Sequence, residues 1–156
     1  MKISTATDHL MPPVSFRPQL SSMLTVEEIE SMSRRYTADQ LYAAMLDLVG
    51  EGNLGGRVYA ALMNTHALKS TTEDFPDPDD RHKWAELQER VTGIATTTSD
   101  RKAAYRNWVD LADGSQLQTV AQEFLALFSS AAQELGAENE ERRGRRHRSV
   151  RNSIVR

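Results

Sequence analysis

The sequence has no cysteine, which excludes disulfides, thiolate metal sites and cysteine nucleophiles together and leaves packing as the source of stability. That suits a cytoplasmic or virion setting. Aromatic residues make up only 6%, so the core has to be built from Leu, Ala, Val and Met, a composition suited to helices packed closely on one another. No apolar run approaches the roughly 18 residues of a membrane span. The segment from Met1 to Val14 lacks the apolar block of a secretory signal. No window shows the strict alternation of a half-buried strand, and no repeat of solenoid period is visible. The serines and threonines lack an elbow or base arrangement for nucleophilic catalysis.

What is present fits one domain. A chain of 156 residues hides roughly 68–70% of its unfolded surface on folding, enough for a single core. The net charge is −3, but Arg142 to Arg156 carries seven arginines and no acid, so the first 141 residues carry −10. An acidic body with a basic appendage points to an acidic partner for that appendage.

Pro12, Pro13 and Pro18 break any helical pattern in residues 1–24, while Leu10, Met11, Val14, Phe16 and Leu20 stay apolar. This predicts an extended N-terminal arm that lies on something. Thr25-Val-Glu-Glu28 is a capping box that opens a short helix over 25–35, with Val26, Ile29 and Met32 on one face. A second box, Thr37-Ala-Asp-Gln40, predicts another helix ending at Gly50, with Leu41, Met45 and Leu48 along one side and Tyr42, Leu46 and Val49 beside them. Asn53 caps a third helix to about Lys69, buried through Leu54, Val58, Ala61 and Leu62. Asp77 before Pro78 starts a fourth, in which Trp84, Leu87, Val91 and Ile94 recur at helical spacing.

Asp100 starts a fifth helix with inner residues Ala104, Trp108, Leu111 and Ala112, stopped at Gly114. Ser115-Gln-Leu-Gln118 then opens a sixth with the stripe Leu117, Val120, Ala121, Phe124, Phe128, Ala131 and Leu135. Gly136 is one place for it to end. The pairs Glu138/Arg142 and Glu141/Arg145 support its continuation. Extra apolar width through Leu125, Leu127 and Ala132 leaves room for a subunit contact on a second face. The expected fold is all-α, a single bundle of about five or six helices over 25–137, with the arm at 1–24 and a charged tail at 138–156.

Several motifs invite chemistry. Asp79, His82 and Glu86 stand at i, i+3 and i+7, a spacing open to a metal. First-turn aspartates and an i, i+4 His/Glu pair explain them without one. Gly50, Gly52, Gly55 and Gly56 before Arg57 fit neither the Rossmann nor the P-loop spacing and read as a helix-to-helix turn. A helix-turn-helix over the same region has only Arg57 and Lys69 as bases, so packing is the better account. His9, His66 and His147 show no evident partners. No metal or cofactor is expected, and no enzyme.

The tail carries the functional expectation. Arg142, Arg143, Arg145, Arg146, Arg148, Arg151 and Arg156 present planar forks suited to phosphate or carboxylate oxygens. Nearby Val150, Ile154 and Val155 add apolar docking contacts, as do Phe16 and Leu20 in the arm. The sequence therefore predicts a non-enzymatic structural or assembly protein of a multi-subunit particle, first a small virion component. Its arm and tail would bind neighbouring subunits, as a homo- or hetero-oligomer, or DNA or RNA. The alternative is a nucleic-acid-binding module or regulator, and a less favoured one is a helical metal-dependent enzyme.

Overall fold

The computed structural model describes residues 24–93 and 98–153. Five helices follow in order: α1 (Val26–Val49), α2 (Leu54–Asn64), α3 (Pro78–Thr92), α4 (Thr98–Leu111) and α5 (Gly114–Ser153). The fold is all-helical, with no strand among the described residues.

The capping box at Thr25 forms as expected: its side chain accepts from the Glu28 amide at 3.2 Å, and Glu28 accepts from the Thr25 amide at 2.8 Å. The second expected box does not form. Thr37 lies inside a continuous α1, buried, so the two short helices expected from residue 25 are one of 24 residues. Local capping chemistry lost there to packing along α1, where Ala38, Leu41, Ala44 and Leu48 are buried.

Asn53 caps α2 by accepting from the Gly56 amide at 2.7 Å. The helix stops at Asn64, short of Lys69, where the buried Thr65 hydroxyl donates to the Ala61 carbonyl at 2.9 Å. Asp77 caps α3 as expected, accepting from the Asp79 and Asp80 amides. The cap of α5 falls two residues earlier than Ser115. Asp113 accepts from the Gln116 amide at 2.8 Å while Gln116 accepts from the Asp113 amide at 2.9 Å. Gly114 is therefore the first residue of α5 as well as the break after α4.

α1 packs on α2 and α5, α2 reaches α4 and α5 as well, and α3 closes against α4 and α5. Trp84 is at the centre, stacked on Phe75 at 5.4 Å and edge-on to Phe124 at 6.2 Å, with its indole N–H donating to the Leu68 carbonyl. The inner face of α4 keeps the expected Trp108, and Ala112 just past its end, both of which pack against the core, but is centred elsewhere. Tyr105 and Val109 are buried, whereas Leu111 is 87% exposed.

α5 runs unbroken through Gly136 and Gly144 to Ser153. At 1.5 Å per residue its 40 residues make a rod of about 60 Å. Three contacts fix its register on α1: Ser31 with Arg142, Arg34 with Glu138 and Tyr42 with Phe128. The two helices are antiparallel, and α5 continues past the start of α1.

Candidate interaction surface

The outer side of the α1/α5 pair is where apolar side chains gather without cover. On α1, Tyr42, Leu46 and Val49 stand at i, i+4 and i+7, and they are 53%, 52% and 72% exposed. Val26, Ile29 and Met32, expected on one face of a short helix, are exposed too. The reason is the merged helix: the inward face belongs to the row through Leu41, Ala44 and Leu48, and residues off that row have no neighbour to bury them. On α5, Leu125, Ser129, Ala132, Gly136, Asn139 and Arg143 repeat at spacings of four and three residues, and all six are exposed. Leu127, expected on this second face, belongs instead to the core. The Tyr42 and Phe128 rings, 5.9 Å apart, join the two rows into one face.

At the far end of the α1/α5 pair the apolar contact gives way to charge. Arg142 donates to the buried Ser31 hydroxyl at 2.8 Å and pairs with Glu138 at 2.7 Å. Glu138 also faces Arg34 at 3.7 Å, and Arg34 faces Glu30 at 3.5 Å. Arg145 pairs with Glu141 at 2.6 Å, and this hydrogen bond holds the exposed Glu141 carboxyl below its ordinary value. These groups line an open cleft of about 270 Å³ whose walls carry both signs of charge.

The expected arginine site is thus divided. Arg142 is committed to the body and Arg145 to its own helix. Arg143, Arg146 and Arg148 are exposed and make no ion pair among the described residues. Val150 and Arg151 belong to α5 by their backbone. Phe16, Leu20, Ile154, Val155 and Arg156 lie outside the described residues, as does the arm apart from Leu24.

The other motifs resolve as structural features. His82 meets Glu86 at 3.3 Å on an exposed turn, and among the described residues no group of three or more His, Asp or Glu could hold a metal ion. A Cβ on Gly55 would sit 3.3 Å from Val109 Cγ1, so that glycine permits close helix contact. α2 buries Val58, Ala61 and Leu62, and of its residues only Gly56 and Asn64 are exposed, so it offers no basic face of the kind a helix-turn-helix presents. His66 has a partner after all, its Nδ1 standing 2.6 Å from the Met63 carbonyl oxygen. No described helix is long and apolar enough to cross a membrane.

The Ser31–Arg142 junction carried no local signal, since its partners are 111 residues apart. The Leu125 row did have one in its spacing. Comparison with known proteins returned no matching family model, no similar curated protein and no similar solved structure.

Proposed function

We propose that the chain is a non-enzymatic assembly protein, a subunit of a multi-subunit particle of the kind virions use, which binds its neighbours through the outer α1/α5 face. One observation supports this above the rest: two exposed apolar rows, through Tyr42, Leu46 and Val49 and through Leu125 and Ala132, meet at the Tyr42–Phe128 contact. Soluble monomers rarely expose contiguous apolar surface, and a patch of this kind marks a place where another molecule sits. Arg143, which continues the α5 row, and the following Arg146 and Arg148, which make no ion pair among the described residues, offer positive charge to acidic groups on that neighbour. Phe16 and Leu20 in the arm, with Val150, Ile154 and Val155 beyond, supply further docking contacts in this reading.

The test is the size of the species containing this chain in extracts of the cells that make it. A multi-subunit species that collapses when Leu46→Glu and Leu125→Glu are combined is expected. A 17.5 kDa monomer in both cases overturns the proposal.

The second reading is nucleic-acid binding. It draws on the same three arginines, carried on a helix with no acid after Glu141. It expects duplex binding whose log affinity falls with log salt at about −0.9 per phosphate contact. Duplex binding that ignores salt, or none at all, overturns it.

A further inference from the structure

We propose that the outer α1/α5 face binds a second copy of this chain, antiparallel, with α5 against α5 about a two-fold axis at Ala132; the identity of this partner rests on the assembly reading above.

The spacing of Leu125, Ser129, Ala132, Gly136 and Asn139 gives a straight exposed seam along α5, and alternate steps of four and three residues are what a second helix at a shallow crossing angle packs into. An axis at Ala132 maps the seam positions 125, 132 and 139 onto one another, as a two-fold contact requires. Ala132 meets its own copy, and the small side chains there let the helices approach closely. Phe128 comes opposite Gly136, where an added Cβ would meet nothing within 4 Å, so the ring has room. Leu125 comes opposite Asn139, and Leu135 comes level with the Tyr42 row of the other copy.

Charge selects the antiparallel direction. α1 ends beside the start of α5, and Gly55 packs close to Val109 and Leu117, so the α1–α2 and α4–α5 corners share one end of the molecule. That end carries Asp47, Glu51, Asp110 and Asp113. Among the described residues its two guanidiniums are engaged: Arg57 donates to the Leu48 carbonyl at 2.8 Å, and Arg106 lies over the Tyr59 ring at 3.9 Å. Four carboxylates against two guanidiniums leave it net acidic. The antiparallel arrangement brings Arg143, Arg146 and Arg148 of each copy level with this end of the other. A parallel arrangement would set arginine beside arginine, which repels.

The chain contains no cysteine, so one introduced thiol reports one position. The experiment uses full-length protein: light scattering up to about 100 μM, a concentration range that captures micromolar dimers, together with oxidation of Ala132→Cys and Gln122→Cys. Cα atoms within about 7 Å can be bridged. The antiparallel dimer puts the two thiols introduced by A132C in that range and separates the two 122 positions by about 30 Å. A particle of twice the chain mass, cross-linked through A132C and not through Q122C, supports the proposal. Ala132→Glu, at an exposed position that leaves the fold intact by circular dichroism, should weaken dimerisation by at least about tenfold. A single-chain mass overturns the proposal, as does a dimer that cross-links through Q122C or tolerates Ala132→Glu. A purified monomer beside a large species in the native extract would overturn this proposal and leave the assembly reading standing.

Discussion

Arg142 and Ser31, 111 residues apart, are joined by a hydrogen bond of 2.8 Å that ties the arginine-rich end of α5 to the first turns of α1. The same guanidinium pairs with Glu138, so it is a structural group and not a free member of the arginine run. Arg142→Ala should cost about 1 kcal/mol, the scale of a charge-assisted bond that is partly open to water. Arg143→Ala, with no ion pair to lose among the described residues, should stay within about 0.5 kcal/mol. Urea midpoints of the two variants in dilute protein compare them directly. Equal effects would mean that the Ser31 contact contributes nothing.

Thr37 presents the opposite case. Its hydroxyl is buried in α1 and has no hydrogen-bond partner among the described residues. Thr37→Val keeps the branched shape and removes an oxygen that costs desolvation without return, so it should stabilise the fold by about 1 kcal/mol. A thermal midpoint that falls would show that the hydroxyl is engaged.

Thr37 also shows where the sequence was readable and where it was not. Caps at Thr25, Asn53 and Asp77 depend on residues three positions or fewer away, and all three formed as read. The Thr37 box has the same local pattern, but burial of Ala38, Leu41 and Ala44 favours an unbroken helix, and that is a tertiary effect no short window contains. Asp113 took the cap expected of Ser115 because Asp113 and Gln116 satisfy each other. The apolar spacing of α5 gave its core face correctly through Leu117, Val120 and Phe124. On α1, apolar residues occur on more than one side, so spacing alone could not tell that Met32 and Leu46 stay uncovered. The division of the arginines into held and unpaired ones depends on where Ser31, Glu138 and Glu141 fall in space.

Glu134 should respond to pH in a stated direction. Burial raises its carboxyl above the ordinary value, the negative charges of Asp80 and Asp77 add to this, and Arg34 opposes them. Above the ordinary carboxylate range the folded chain therefore holds its proton more readily than the unfolded chain, and stability falls as pH rises through the window. Glu134→Gln removes that loss. The variant should be more stable than the parent at neutral pH, by less than about 1 kcal/mol because the group is only partly buried. The advantage should vanish below the ordinary value of 4.5, as paired urea midpoints would reveal; a gain that persists in acid would point to packing instead.

Tyr105 gives the sharper titration. Burial pushes its hydroxyl up to about 12, against the pull of Arg101 and of the Gln88 side chain. The hydroxyl donates to Gln88 Oε1 at 2.6 Å. Between its ordinary 10.0 and about 12 the folded chain keeps a proton that the unfolded chain loses, so stability declines as pH rises across that interval. Tyr105→Phe should abolish this part of the decline. At neutral pH the same change leaves the Gln88 oxygen without its donor and should cost about 1 kcal/mol. Ultraviolet absorbance of tyrosinate in the folded chain should show one late step that the variant lacks. If parent and variant titrate alike, the Tyr105 hydroxyl is not shielded by the core.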